Sequence, residues 1–330
     1  MAYLADKNRY EGMQYRRCGG SGLKLSAMSL GLWHGFGSEN VYDNGKDMIL
    51  AAFDSGITHF DLANNYGPVP GSAEETFGKV LKRELKAHRD EMVIATKAGY
   101  EMWPGPYGDG GSRKYLTASL DQSLKRMGLG YVDIFYHHRP DPETPPEETA
   151  ETLAGFVAAG KALYVGISNY DGPGTKKMAG LLREKGVRCL IHQMRYSMLS
   201  RENEPVLSVL EEEKIGGIAF SPLAQGILTG KYRNGIPADS RAAGKSIFLS
   251  GKDITESVAK LTEELTKLAG ERGQTLSQMA LAWVLSRKAV TSVILGASRP
   301  EQIGENIRAL AHLEFEQEEL GRIEAILAGA

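Results

Sequence analysis

The sequence predicts an α/β protein, a (β/α)8 (TIM) barrel with an N-terminal β-hairpin and extra C-terminal helices. Short apolar, β-prone runs alternate regularly with helical stretches, which is the pattern of a parallel sheet with helical crossovers. Eight such strands follow one another, and 330 residues suit one closed barrel. Proline and glycine cluster in the loops after strands and form no linker, so residues 1–330 are predicted to be a single domain.

Each predicted element rests on a local pattern. Two short polar strands flank Gly19-Gly20-Ser21-Gly22, which predicts the hairpin over residues 15–24. Short apolar runs predict the barrel strands at 25–31, 56–61, 92–97, 132–138, 162–167, 189–193, 215–220 and 292–295. Helices are predicted at 46–55, 73–86, 112–127, 146–159, 174–185, 204–213, 256–271 and 276–287, with the extra C-terminal helices at 300–310 and 316–327.

Two long loops follow the third and seventh predicted strands, at 99–111 and 221–250. In a barrel both open on the C-terminal face, where active sites lie. Loops of this length are usually functional or disordered. The first one looks like a lid over a site, or else it is a surface excursion.

Composition excludes several classes of function. A net charge of −2 gives no electrostatic reason to expect nucleic acid or an anionic membrane as a partner. The polar first residues lack the apolar core of a signal peptide, and no apolar run approaches a transmembrane length. Cys18 and Cys189 lie far apart, without metal-ligand spacing. We therefore expect a cytoplasmic protein with reduced thiols and no metal.

Three consecutive predicted strands end in side chains suited to proton transfer. Asp61 ends the second strand, Lys97 the third and His138 the fourth, and Tyr66 follows Asp61 on a loop. A carbonyl accepts a hydride only if its oxygen is protonated or strongly hydrogen-bonded as charge develops. Tyr66 would supply the proton, beside a Lys97 ammonium that Asp61 keeps charged. His138 would hydrogen-bond the substrate oxygen or take part in the proton relay.

Each of these residues also has an ordinary interpretation. Asp61 alone would serve as a helix N-cap, Lys97 as a solvated strand end and Tyr66 as a loop aromatic. Their joint occurrence at consecutive strand ends favours the catalytic interpretation. Because side chains alternate along a strand, only one of His137 and His138 can point into the barrel mouth.

The end of the last predicted strand has the features of a phosphate site. Gly296-Ala297-Ser298-Arg299-Pro300 runs from this strand into a helix whose first position is proline. Amides at a helix N-terminus bind phosphate oxygens, and Ser298 and Arg299 would add donors. Either Arg299 or Lys231 would face a 2′-phosphate and favour NADPH, or Arg299 is an exposed arginine at a helix start. No G-x-G-x-x-G or P-loop points to another phosphate site. Polar strand ends that suit a nicotinamide carboxamide are Ser168, Asn169 and Gln193.

Asp61, Tyr66, Lys97 and His138 together resemble the catalytic tetrad of the aldo-keto reductase superfamily, and Asp61-Leu62-Ala63-Asn64-Asn65-Tyr66 closely matches its first signature. The tetrad pattern selects His138 over His137. Further stretches resemble the family's cofactor contacts: Gly166-Ile167-Ser168-Asn169, Phe220-Ser221-Pro222-Leu223-Ala224-Gln225-Gly226 with Lys231, and Gly296-Ala297-Ser298-Arg299-Pro300-Glu301-Gln302 with Glu305 and Asn306.

The resemblance implies an NADP-dependent reductase that converts small aldehydes to alcohols, with Tyr66 as general acid and Phe220 against the nicotinamide ring. The implied cofactor-binding residues are Trp33, Asp61, Ser168, Asn169, Gln193, Phe220, Ser221, Pro222, Leu223, Gln225, Gly226, Lys231, Arg241, Gly296, Ser298, Arg299, Gln302, Glu305 and Asn306. The implied substrate-binding residues are Trp33, Tyr66, Trp103 and His138.

Within the superfamily the chain resembles the branch of bacterial L-glyceraldehyde 3-phosphate reductases and voltage-gated potassium-channel β subunits. The shared stretches are Tyr131-Val132-Asp133, Arg139-Pro140-Asp141-Pro142 and Ser240-Arg241. The branch implies reduction of L-glyceraldehyde 3-phosphate or methylglyoxal, or alternatively a redox-sensing regulatory subunit with little turnover. The intact tetrad favours the enzyme, because the channel branch has asparagine at the position of His138. By the same resemblance, a homo-oligomer, tetramer or octamer, is expected.

Substrate recognition is predicted from the loop that follows the third strand. Trp103 and Tyr107 on this loop would form an aromatic mouth with Trp33 and Tyr66. Ser112-Arg113-Lys114 begins the next helix and would attract a phosphorylated aldehyde, unless it is a solvated helix start.

Overall fold

The centre of the molecule, a computed structural model that describes residues 3–232, 235–237 and 249–329, is a closed barrel of eight parallel strands. The strands are β3 (Met28–Gly31), β4 (His59–Asp61), β5 (Val93–Ala98), β6 (Val132–His137), β7 (Ala162–Ser168), β8 (Cys189–Arg195), β9 (Gly216–Phe220) and β10 (Val290–Leu295). Each pairs with its sequence neighbours, and β10 closes the barrel by pairing with both β9 and β3. The predicted (β/α)8 barrel is confirmed.

The predicted hairpin is also present and consists of β1 (Tyr15–Arg17) and β2 (Lys24–Ser26), paired antiparallel. Its turn packs against the segment that enters β9, where Gly20 N donates to Lys214 O at 2.8 Å. Gly19 has a φ of 53°, and a Cβ there would lie 2.3 Å from Lys214 O, so only glycine fits. The hairpin therefore lies at the amino-terminal end of the barrel, away from the face where sites form.

Helices surround the barrel. They are α1 (Tyr42–Asp54), α2 (Ser72–Val80), α3 (Arg113–Met127), α4 (Pro146–Ala158), α5 (Gly172–Glu184), α6 (Glu204–Glu213), α7 (Glu256–Glu271), α8 (Leu276–Leu285), α9 (Pro300–Ile307) and α10 (Gln317–Ala328). Helix α1 begins at Tyr42, earlier than predicted. Its first residues include Asn44 and Gly45, and because these are weak helix formers the sequence pattern did not indicate the start of the helix. Helix α2 continues as a π-helical turn over Leu81–Leu85 and a 3₁₀ segment over Lys86–Glu91. No helix of the described ranges is long and apolar enough to cross a membrane.

Burial explains why the strands could be predicted from the sequence. Every residue of β5, β6 and β10 is buried, as expected where helices cover a parallel sheet on its outside and side chains fill it inside. Every residue of helix α8 except Ser277 is buried, and Trp283 on it is fully buried. Because the helix is surrounded by protein, its sequence is apolar on nearly all sides and lacks the amphipathic period of a surface helix.

Three buried histidines make the fold sensitive to acid. Burial lowers the pKa of His59, His137 and His192 to about 4 in each case. The ordinary pKa in an unfolded chain is about 6.5, so below that pH the unfolded state binds more protons than the folded state. The free energy of unfolding should therefore fall as the pH drops from ~6.5 towards ~4, by up to ~1.4 kcal/mol per pH unit for each histidine.

A variant isolates one of these contributions. His59 Nδ1 lies 2.8 Å from Ser29 Oγ, and asparagine keeps a polar group there without titrating. In urea unfolding, the stability advantage of the wild type over His59→Asn should shrink by ~1.3 kcal/mol between pH 7.5 and 5.5. An advantage that is the same at both pH values would contradict a depressed pKa for His59.

Candidate active site

A cavity of about 1320 Å³ opens at the carboxyl ends of the barrel strands. It is lined by the ends of β3, β4, β8, β9 and β10, by the loops that follow them, and by the beginning of α9. This is the face on which a (β/α)8 barrel forms its active site. The cavity brings together the polar strand ends and the start of α9 that were singled out in the sequence.

Asp61 and Lys97 form a buried ion pair at the base of this cavity. Lys97 Nζ donates to Asp61 Oδ2 at 2.7 Å and to the carbonyl oxygen of Leu62 at 2.5 Å. The other carboxylate oxygen of Asp61 accepts from Gln193 Nε2 at 2.9 Å. Burial lowers the pKa of Lys97, and the Asp61 carboxylate opposes that shift. The pair thus fixes a cation where solvent does not reach it.

Tyr66 lies directly over this cation. Lys97 Nζ is 4.8 Å from the centroid of the Tyr66 ring, and the ring of Trp33 is stacked on that of Tyr66 at 5.7 Å. Burial, with a smaller contribution from Asp61, raises the pKa of Tyr66 well above its usual value. The phenol is therefore protonated at neutral pH in this structure, which is the form a proton donor needs.

The two consecutive histidines at the end of β6, His137 and His138, point in different directions. His138 lines the cavity, with its ring 5.9 Å from that of Tyr66 in an edge-on arrangement. His137 is buried, and its Nδ1 lies 2.6 Å from Tyr170 Oη. Burial, and after it the charge of Lys97, lowers the pKa of His138 well below its usual value. A neutral imidazole therefore faces the same space as the Tyr66 phenol.

Amides and an aromatic ring flank the ion pair. Asn169 adopts a φ of 61°, and its Nδ2 donates to His138 O at 3.0 Å and to Ser168 Oγ at 3.1 Å. Phe220 ends β9, and the loop after it includes three other non-glycine residues with positive φ: Ser221, Ala224 and Gln225. Such backbone is strained and clusters at ligand sites.

The far part of the cavity is formed by the start of α9. Gln302 Oε1 accepts from the backbone N of Ser298 at 2.9 Å and from Ser298 Oγ at 3.2 Å. The side chain of Arg299 is 64% exposed, and its Nε lies 4.0 Å from Glu301 Oε2. Donors at a helix start and a loosely held arginine are suited to an anion.

Most of the predicted site residues line this one cavity. They are Trp33, Asp61, Tyr66, His138, Asn169, Gln193, Phe220, Ser221, Pro222, Leu223, Gln225, Gly226, Lys231, Gly296, Ser298, Arg299, Gln302, Glu305 and Asn306. Lys97 and Ser168 are fully buried behind its wall. Arg241 lies outside the described residues. Trp103 is not among the lining residues, because its ring packs on Tyr115 at 5.3 Å.

The loop over residues 99–111 is fastened to β6 and the segment after it. Arg139 Nε donates to Gly99 O at 2.8 Å, and its Nη2 donates to both carboxylate oxygens of Asp109 at 2.9 Å. Asp141 Oδ2 accepts from Gly111 N at 2.7 Å. These contacts hold both ends of the loop. At the start of α3, Arg113 pairs with Glu151 at 2.7 Å and lies outside the cavity lining.

Tyr100 and Arg195 are among the lining residues that the sequence analysis did not identify. Tyr100 packs edge-on against the His138 ring at 4.7 Å and lies under the guanidinium of Arg139 at 5.0 Å. Arg195 ends β8, two residues beyond the predicted end of that strand. The alternation of side chains beyond Gln193 would have placed Arg195 on the same inner face.

Comparisons with known proteins agree with this geometry. The family model described as Aldo/keto reductase family matches residues 27–328. The chain is 56% identical over 333 residues to an L-glyceraldehyde 3-phosphate reductase of Escherichia coli (strain K12), covering 99% of this chain and 96% of the relative. It is 38% identical over 305 residues to a probable voltage-gated potassium channel subunit beta of Arabidopsis thaliana, covering 90% and 91%.

A putative subunit of the same kind from Schizosaccharomyces pombe (strain 972 / ATCC 24843) is 38% identical over 325 residues, covering 95% of this chain and 93% of the relative. The matches extend over nearly the whole barrel and include the strand ends that form the cavity. The family predicted from the sequence motifs is confirmed. The chain belongs to the aldo/keto reductase family and is an oxidoreductase.

Proposed function

We propose that this enzyme reduces small aldehydes to alcohols with NADPH, and that L-glyceraldehyde 3-phosphate and methylglyoxal are among its substrates. The observation that carries the proposal is the stack of Lys97 beneath Tyr66, with His138 beside the phenol, at the base of one cavity. The name of the Escherichia coli relative supports the phosphorylated triose as a substrate. The other expectations, a cytoplasmic location and a homo-oligomer, tetramer or octamer, remain part of this proposal.

The donor set of the cavity fits a nicotinamide dinucleotide phosphate. Near the ion pair it offers amides on Asn169 and Gln193 and the ring of Phe220, which suit a carboxamide and an aromatic ring. In the part formed by the loop after β9 and by α9 it offers Lys231 and Arg299, which suit phosphates. When bound, the cofactor supplies the hydride.

In the proposed mechanism the residues of the chain supply the proton and position the aldehyde that accepts it. Tyr66 donates it to the carbonyl oxygen as charge develops there. Burial raises the pKa of this phenol and so opposes the transfer, which makes a nearby cation necessary. The Lys97 ammonium beneath the ring stabilises the phenolate that forms, and Asp61 holds Lys97 in place. Neutral His138 donates a hydrogen bond to the same oxygen and orients the aldehyde.

The direct test is an NADPH-oxidation assay against a panel of aldehydes that contains L-glyceraldehyde 3-phosphate and methylglyoxal. We expect turnover with at least one of them. The identity to potassium channel β subunits favours a second candidate, a redox-sensing subunit with little turnover. Tight NADPH binding without reduction of any aldehyde would favour that candidate. Light scattering after size-exclusion chromatography tests the proposed homo-oligomer.

The choice of cofactor gives a separate prediction. Arg299 is exposed and Lys231 lies on the loop after β9, so either can reach a 2′-phosphate that NADH lacks. A charge-assisted contact contributes about 1.5–3 kcal/mol, so losing it should weaken NADPH binding roughly 10- to 100-fold. We expect Arg299→Ala or Lys231→Ala to do so while changing NADH binding much less, as measured by fluorescence titration.

Arg183→Ala is the matched control, because Arg183 is 61% exposed and pairs with Glu213 on the outside of the barrel. It should leave both affinities unchanged. Equal losses of NADPH and NADH affinity in an Arg299 or Lys231 variant would instead place that charge at the pyrophosphate.

A further inference from the structure

Arg195 is a charged residue of the cavity to which the proposed mechanism gives no role. Among the described residues, the positively charged side chains that line the cavity are Arg195, Lys231, Arg299 and Arg308. The last three lie on the loop after β9 or on α9 and its C-terminal end, which is the part suited to cofactor phosphates. Arg195 alone of this group is carried by a barrel strand, β8.

The register of β8 places Arg195 on the inner face of the barrel, toward the mouth of the cavity. Gln193 points inward, since its Nε2 donates to Asp61 Oδ1. Arg195 follows two residues later and so lies on the same inner face, about 6.6 Å nearer the mouth. Met194 between them is fully buried against the outside of the barrel. Arg195 pairs across the sheet with Phe220, another lining residue.

The backbone of Arg195 is fixed while its guanidinium is left available. Asn203 Nδ2 donates to Arg195 O at 3.0 Å. The carboxylate of Glu204, which lies further along the chain, accepts from Arg201 Nε at 2.8 Å and from Tyr196 Oη at 3.0 Å. Within the described part of the chain, no carboxylate pairs with the Arg195 guanidinium.

From this placement we infer that Arg195 binds the anionic group of the aldehyde substrate, a phosphate or a carboxylate, and so determines specificity. The inference rests on the proposed reductase activity and adds the class of substrate to it. With the carbonyl held at Tyr66 and His138, the rest of a short aldehyde extends toward the mouth, where Arg195 ends its strand. A guanidinium matches both oxyanions because it can form two parallel hydrogen bonds with either.

The test compares short aldehydes that differ in charge. Steady-state kcat/KM is measured for L-glyceraldehyde 3-phosphate, succinic semialdehyde and uncharged L-glyceraldehyde with the wild type, Arg195→Gln and Arg195→Lys. We expect Arg195→Gln to lower kcat/KM for an anionic aldehyde roughly 10- to 100-fold, as loss of a charge-assisted contact would. The ratio of anionic to neutral kcat/KM should fall at least tenfold, mainly through KM, and lysine should restore part of it.

Arg188→Gln is the matched control, because Arg188 is an exposed arginine that precedes β8 at the opposite end of the barrel. It removes the same charge and should leave the ratio unchanged. The anionic aldehyde whose kcat/KM falls more in Arg195→Gln shows whether phosphate or carboxylate is the preferred group. Equal losses for charged and neutral aldehydes, or no loss, would overturn the inference while the reductase activity stands.

A second measurement is independent of turnover. L-glycerol 3-phosphate carries the anion without the aldehyde. In calorimetric titration its affinity for NADPH-loaded Arg195→Gln should be lower than its affinity for the NADPH-loaded wild type by a factor of roughly ten or more. Equal binding to both would overturn the role of Arg195. Failure of the wild type to reduce any aldehyde would instead overturn the proposed function.

Discussion

Tyr66→Phe is expected to lower the rate of aldehyde reduction by at least ~10²-fold, the lower range of general acid catalysis. The variant keeps the ring that stacks on Trp33 at 5.7 Å and covers Lys97 at 4.8 Å, and it removes only the hydroxyl. Because the cavity wall is preserved, the affinity for NADPH should change little. The measurement is single-turnover oxidation of prebound NADPH at saturating aldehyde.

A matched control for this variant is Tyr107→Phe. Tyr107 was predicted at the mouth of the site, but it is 57% exposed and lies outside the cavity lining. It should reduce aldehydes at the rate of the wild type. If Tyr66→Phe also turned over at a near-normal rate, another group would have to donate the proton, and the assignment of Tyr66 would be wrong.

Lys97→Met is expected to lower hydride transfer by a comparable factor and also to destabilise the fold. Methionine keeps most of the side-chain length but removes the ammonium that would stabilise the Tyr66 phenolate. It also leaves the Asp61 carboxylate without its charged partner in a site where both side chains are almost completely buried. Breaking a buried ion pair in this way costs about 3–5 kcal/mol. Urea unfolding and single-turnover kinetics measure the two effects separately.

The double variant Lys97→Met with Asp61→Asn separates stability from catalysis. It removes the uncompensated carboxylate while keeping an acceptor for Gln193, so part of the lost stability should return. Hydride transfer should stay low, because the cation is still missing. If Lys97→Met alone transferred hydride at the rate of the wild type, Lys97 would have no part in the mechanism. A regulatory subunit would show little turnover even before the substitution.

The barrel could be predicted because its strands are buried on both faces and therefore read as continuous apolar runs. The ends of those strands fix which residues meet, so Asp61, Lys97 and His138 could be expected at one cavity from sequence order alone. The first and last residues of the helices and strands were harder to predict. The start of α1 includes poor helix formers, and β8 extends to a charged residue, Arg195, that no apolar pattern would include.

Side-chain packing accounts for the other differences. Trp103 is an aromatic residue on a long loop beside the site, yet its ring turns to Tyr115 and leaves the cavity lining to Tyr100. Nothing in the loop's composition distinguishes the two orientations, because both bury an aromatic ring. The bidentate contact of Arg139 with Asp109, thirty residues away in the chain, likewise depends on how the loop folds back.

The complete burial of Lys97 has a consequence for the order of events in the proposed cycle. Lys97 is completely buried and its partner Asp61 almost completely so, and we therefore expect this pair not to relay a proton from solvent to the phenolate. Tyr66 is itself only 9% exposed and faces the space that the product alcohol fills. We therefore expect water to reach the phenolate once the product has left, so that the enzyme regains its proton after product release.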